Sequence, residues 1–137
     1  MNSFINSLLH NPLVILVGVA IVLDTVLGLL RAFKEHKFNS SAGINGAIRK
    51  AGMILSVITL AVADALLNFD MLFFIPKNWL SVLNLQKVGL CEFFALLFIL
   101  YECTSILKNM VLCGIPIPGK LRDKTEHLLK ELTEEIK

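Results

Sequence analysis

A chain of 137 residues that is 55% hydrophobic and only 18% charged has too few charges for an ordinary soluble domain, in which they make up roughly a quarter. Its mean hydropathy of +0.72 makes lipid the expected solvent. A net charge of only +2 excludes the strongly basic balance of a nucleic-acid binder, so nucleic acid is not an expected partner.

The chain starts Met1-Asn2-Ser3-Phe4-Ile5, without the positive n-region of a cleaved signal peptide, and the apolar run after Pro12 is longer than a typical h-region. The first segment, residues 13–33, is therefore expected to be retained as a membrane anchor. Pro12 suits its first turn, where a missing N–H costs nothing. A run of turn formers, Asn39-Ser40-Ser41-Ala42-Gly43-Ile44-Asn45-Gly46, is expected to separate it from a second segment, residues 51–67. The stretch from Phe69 to Trp79 is apolar and aromatic but too short to cross. It is expected at headgroup depth, with a re-entrant stretch or an early start to the third segment as alternatives. The third segment covers residues 88–107. Each segment is near the roughly 20 residues that cross a hydrocarbon core about 30 Å thick, so the expected fold class is all-α: an integral membrane protein with three transmembrane helices. The charged tail, residues 120–137, carries Leu121, Leu128, Leu132 and Ile136 as a narrow apolar stripe and is expected to form a short cytoplasmic helix.

Lys and Arg set the orientation. None precedes the first segment; the first loop and its edges hold Arg31, Lys34, Lys37, Arg49 and Lys50; the second loop holds Lys77 and Lys87. The C-terminal end holds Lys108, Lys120, Arg122, Lys124, Lys130 and Lys137. The positive-inside rule then puts the first loop and the C-terminus in the cytoplasm and the N-terminus outside, and the parity of three crossings agrees.

Four acids fall in or at the ends of the spans: Asp24, Asp64, Glu92 and Glu102. A charge at the bilayer centre costs roughly 3 kcal/mol on insertion scales, so such groups face a partner helix or water. Alternating span direction sorts them into two layers, Asp24 with Glu102 in the inner half and Asp64 with Glu92 near the outer surface. The outer pair is expected to be a solvated rim. Asp24 stands out, about 18 Å of helical rise beyond Pro12 with apolar residues around it. Four-residue steps through it give Ala20, Asp24, Gly28 and Ala32, with Arg31 on the same face. Small residues let helices approach closely, and a carboxyl on the seam can hydrogen-bond across it. The second segment has a strip of Gly52, Ser56, Thr59 and Ala63, and the third has Glu102, Ser105 and Asn109. These faces either pack the helices of one protomer together or, in an oligomer, line an aqueous opening.

The three cysteines, Cys91, Cys103 and Cys113, match no CxxC spacing and are odd in number, so they are expected to be reduced and small apolar in role. There is no GxSxG, HExxH or Walker loop, and His10, His36 and His127 lie outside the spans without metal-ligand spacing. No catalysis, cofactor or metal is expected.

The stretch Asp24-Thr25-Val26-Leu27-Gly28-Leu29-Leu30-Arg31-Ala32, then Asn39-Ser40-Ser41 with Gly43, Lys50, Glu102, Ser105-Ile106, Asn109 and Gly114-Ile115-Pro116-Ile117-Pro118, resembles the phage holin family that includes the clostridial toxin-secretion holins. The resemblance covers roughly residues 14–121. It implies a protein of the bacterial cytoplasmic membrane that oligomerises with copies of itself into lesions. Those lesions collapse the membrane potential and let an endolysin, or a large toxin, reach the wall; an antiholin is a further partner the resemblance admits. Where members often have an acidic residue just before the asparagine after Ser-Ile, this chain has Lys108.

Two other classes fit the residues: a small ion channel or transporter subunit using Asp24 and Glu102, and a passive adaptor that recruits a partner through its tail. Size bears on the first reading. A folded enzyme of about 250 residues is roughly 45 Å across, whereas a helix is about 10 Å wide. An opening near 140 Å in circumference therefore needs on the order of a dozen wall helices, which only a large homo-oligomer supplies.

Overall fold

The computed structural model describes residues 8–36, 40–73 and 88–121, with isolated positions 6, 38, 76, 78, 123, 124 and 127 beyond them. Among the described residues the architecture is all-helical, and three helices are long and apolar enough to cross a membrane.

Helix α1 is Pro12–Glu35. The Asn11 Oδ1 caps it by accepting from the Leu13 and Val14 N–H groups at 3.0 and 3.4 Å, and Pro12 occupies the first turn. It stops at His36, whose left-handed backbone (φ 51°) turns its N–H back onto the Ala32 and Phe33 carbonyls. Helix α2 is Ser40–Leu67 and helix α3 is Leu90–Cys113. Gly114, at φ 79°, ends α3 with its N–H on the Met110 and Val111 carbonyls. This left-handed closure favours a residue without Cβ.

Two expected boundaries are corrected. The run from Ser40 to Gly46, read as a turn, forms the first two turns of α2, and α3 runs six residues past Leu107 to Cys113. The reason is the accounting of backbone hydrogen bonds. Near a bilayer a helix satisfies its own N–H and C=O groups whereas a loop does not, and that outweighs the penalty of about 1 kcal/mol or less for each glycine, serine or asparagine.

Helices α1 and α3 run parallel, face to face. At one end the Asn11 Nδ2 donates to Glu92 Oε1 at 2.7 Å; at the other the Lys34 Nζ donates to the Leu112 carbonyl at 3.0 Å. α2 runs antiparallel, packing on α3 and touching α1 little. The core is Val17, Ile21, Met53, Ala95 and Ile99, with Val57, Ala61 and Cys91 as a second cluster. The outside is an apolar belt: Val19, Val22 and Val26 on α1, Leu55 and Ile58 on α2, and Leu96 and Leu100 on α3 are exposed. Such a surface is stable in lipid, where exposing it carries no hydrophobic penalty.

In the second loop the Asp70 Oδ1 accepts from the Leu72 and Val88 N–H groups at 2.9 and 3.4 Å, and Met71 N–H donates to the Val88 carbonyl at 2.8 Å. The rest of the expected interfacial stretch, at Phe74, Ile75, Lys77 and Trp79, lies outside the described residues. Of the tail, Lys120, Leu121, Asp123, Lys124 and His127 have helical backbone; the other tail positions lie outside the described residues.

Candidate functional site

The three helices bring Asp24, Lys50 and Glu102 to one level inside the bundle. Lys50 comes from α2, and its Nζ donates to Asp24 Oδ2 on α1 at 2.6 Å and to Glu102 Oε2 on α3 at 3.0 Å. A third contact runs to the Ile21 carbonyl at 3.3 Å. An ammonium has three N–H donors, so all three are used. The Asn109 Nδ2 donates to Asp24 Oδ1 at 2.8 Å, and its Oδ1 accepts from Arg31 Nη1 at 3.2 Å. Arg31 Nε lies 3.8 Å from Glu35 Oε1. Asp24, Glu102 and Asn109 are all buried, Glu102 to 2% exposure.

This is a net of opposite charges closed within one protomer. Two carboxylates share one ammonium, and the Arg31 guanidinium reaches the pair through Asn109. An isolated carboxylate here would pay the full desolvation penalty, which the shared ammonium and the Asn109 amide offset. The neighbouring small residues make room for it. Ala20 is buried one turn from Asp24. A Cβ added at Gly28, one turn the other way, would touch Asn109 Nδ2 at 3.7 Å, so the seam brings α3 within contact of the α1 backbone.

A second polar level ties the opposite end. The Asp64 carboxylate, from α2, accepts from the Leu90 N–H at 3.0 Å and the Cys91 N–H at 2.7 Å. It thus caps α3 at the positive end of its dipole. Gly89, the N-cap residue of α3, has no side chain to do this. A Cβ there would collide with the Asp64 carboxylate. Glu92 completes the cap by accepting from the Gly89 N–H at 2.8 Å and from Asn11 at 2.7 Å. The expectation of a solvated rim at Asp64 and Glu92 is corrected accordingly: both carboxylates are half-buried and hold helix ends. Replacing Asp64 by alanine is expected to lower stability by about 1–2 kcal/mol, the usual scale for losing an N-cap. Gly89→Ala acts in the same direction by displacing the cap. Detergent-titration unfolding followed by circular dichroism reads both, and unchanged midpoints would contradict the capping role.

The sequence-derived candidates divide by helix. Ala20, Asp24, Glu102 and Asn109 are buried in the bundle, while Gly28, Arg31, Ala32 and Ser105 are half-buried beside them. On α2, Gly52 and Thr59 are exposed and Ser56 and Ala63 half-buried; the Thr59 Oγ1 donates to its own helix at the Leu55 carbonyl, 2.9 Å away. The face that α2 turns inward carries Lys50, Met53, Val57 and Ala61 instead. Lys50 is the member that the sequence reading left out. Its signal was the three- and four-residue spacing of Lys50, Met53, Val57, Ala61 and Asp64, one helical face with a cation at one end and an acid at the other. Among the described residues no group of three or more His, Cys, Asp or Glu side chains has the arrangement of a metal site.

Residues 3–130 match the bacteriophage holin family. The chain is 47% identical, over 136 residues, to the Holin-like protein TcdE of Clostridioides difficile, a match covering 99% of this chain and 82% of that protein. It is 32% identical over 118 residues to an uncharacterized 14.9 kDa protein in the nagH 3' region of Clostridium perfringens, covering 85% of this chain and 76% of that one. No solved structure gives a significant match. With a family match along nearly its whole length and three helices able to cross a bilayer, this multi-pass protein of the cytoplasmic membrane belongs to the bacteriophage holin family.

Proposed function

We propose that copies of this protein assemble in the cytoplasmic membrane, N-terminus outside and C-terminus in the cytoplasm, and open lesions that dissipate the membrane potential. Through them an endolysin, or a large toxin, leaves the cell. The similarity to a holin-like protein supports this reading, and no catalytic step is assigned, since the holin family is not an enzyme family.

The observation that carries it is the closed polar net of Asp24, Lys50, Glu102 and Asn109. With every Lys50 donor engaged between the helices, one protomer offers ions no free polar path, which disfavours a channel through a single bundle. The conduit therefore forms between copies. Its wall must be wettable, yet the outer belt of the closed protomer is apolar, and the hydroxyls of Thr25, Thr59 and Thr104 are bonded to carbonyls of their own helices. The polar surface has to come from inside. In this account α2, the helix with the smallest buried share, swings away from the α1–α3 pair. Asp24, Arg31, Glu102, Ser105 and Asn109 then face the lumen, and the small-residue strip of α2, with Gly52 and Thr59 exposed, packs copy against copy. An antiholin would act by keeping the protomers closed.

Induced expression of the protein alone is expected to stop growth and collapse the membrane potential after a delay in which it accumulates. A potential-sensitive dye reads this directly. Cells that keep a normal potential with the protein abundant in their membrane would contradict the proposal.

A further inference from the structure

Lys50 and Glu102 join α2 to α3 inside the bundle, and the residue before each joins the same two helices outside it. Arg49 Nη1 donates to the Tyr101 hydroxyl at 2.6 Å, while Lys50 Nζ donates to Glu102 Oε2 at 3.0 Å. Consecutive residues point about 100° apart around a helix, so each helix reaches the other with two prongs. The inner bond is buried, with Glu102 at 2% exposure; at the outer bond Arg49 is exposed and Tyr101 is 45% exposed. The seam between α2 and α3 is thus fastened on both sides at one level.

One bond and two bonds constrain a helix differently. The Lys50 ammonium sits at the end of a flexible stem, and a helix held by it alone can roll about that point. A second bond on the opposite side of the seam stops the roll. Helical spacing sets what a roll would exchange: Lys50, Met53 and Val57 share one face of α2, and Arg49, Gly52 and Ser56 share the next. Met53 and Val57 are buried, while Gly52 is exposed with open space beside it, so the first face is turned to the core and the second away from it. Depth strengthens the outer bond. Tyr101 lies about 17 Å along α3 from Leu90, near the middle of a hydrocarbon core about 30 Å thick. At that depth little water is present to replace the hydroxyl, and a charged group there keeps its partner.

We propose that the Arg49–Tyr101 bond is a rotational lock on α2, a positioning contact that holds Met53 and Val57 against α3 and keeps Gly52 and Thr59 turned outward. Its consequence rests on the proposed opening, in which that outward strip packs copy against copy and α2 is the helix that leaves. The lock sets the angle at which the strip is presented, and it breaks before α2 departs.

The test labels a cysteine one turn from the lock. Full-length Met53→Cys protein is placed in lipid vesicles at a protein-to-lipid ratio too low for assembly and exposed to N-ethylmaleimide, and the modified residues are assigned by peptide mass. Labelling at position 53 is expected to be slow in this parent, because the site is buried. Tyr101→Phe removes only the acceptor and is expected to speed it roughly tenfold, the scale of one hydrogen bond to a charged group. Arg49→Met should match that rate, and the two together should go no faster than either alone. Arg49→Lys keeps a charged donor and should stay near the parent. Cys91, whose N–H is held by the Asp64 cap at the other end of the seam, should label slowly in every variant. An unchanged rate at position 53 in Tyr101→Phe, additive effects of the two variants, or equal acceleration at Cys91 would overturn the lock. The rate is read on protomers that have not assembled, so the lock can fail without the hole-forming reading failing, and lesion timing in cells tests that reading separately.

Discussion

Lys50→Met is expected to destabilise the closed bundle by about 3–5 kcal/mol, the scale on which removing one partner of a buried ion pair acts. The size follows from the geometry: one ammonium holds Asp24 at 2.6 Å and Glu102 at 3.0 Å, with the three side chains 17%, 11% and 2% exposed. Methionine fills the space but leaves two carboxylates facing each other without a cation, in a setting where solvent screens little. Lys50→Arg retains the charge and should recover much of the loss. Asp24→Asn can still accept from Lys50 while removing a charge, so its effect should be smaller. Unfolding in mixed micelles measures the stability change. In cells, at matched membrane levels, Lys50→Met should trigger lesions earlier, because the same net holds the protomer closed. Later triggering with the protein intact in the membrane would contradict that role.

The second large effect is close to all-or-none. Val57 of α2 and Cys91 of α3 belong to one buried cluster, with the Cys91 Sγ 3.6 Å from the Val57 carbonyl oxygen. With Cys103 and Cys113 changed to serine, Val57→Cys can be oxidised onto Cys91 to tie α2 to α3. If α2 must leave the α1–α3 pair to present the polar wall, the cross-linked protein should accumulate and associate yet keep the membrane sealed, and a thiol reductant should release lesions within minutes. Lesions on the normal schedule with the cross-link fully formed would show that the protomer does not open in this way.

How far these features could be read from the sequence depends on the range of the interactions. Crossing a bilayer is a property of consecutive residues, so the three spans followed from composition and length alone. Grouping Asp24 with Glu102 and Asp64 with Glu92 needed only the alternation of span direction. What pairing could not reveal was the identity of the cation. Lys50 was placed at the mouth of its span because Asn39 to Gly46 looks like a loop. Local turn preference is worth about 1 kcal/mol per residue at most, and the membrane's demand for backbone hydrogen bonds carried the helix back to Ser40. That shift turned an interfacial lysine into one three turns inside the helix. The cap at Asp64 was hidden for a different reason: it joins the end of one helix to the start of another, with Gly89 as the only local hint. On α2 the choice of inward face turned on volume rather than smallness. Met53, Val57 and Ala61 fill the space against α3, while Gly52, one position away, faces out.

In the proposed function many copies together make a hole through which a folded protein can pass. Its most direct measurement uses purified protein reconstituted into vesicles loaded with both a small dye and a folded protein marker of about 250 residues, roughly 45 Å across. Above a threshold protein-to-lipid ratio, both are expected to escape together, with the released marker still folded. Loss of the dye or of ions alone, with the marker retained at every ratio, would contradict it and point instead to a small channel.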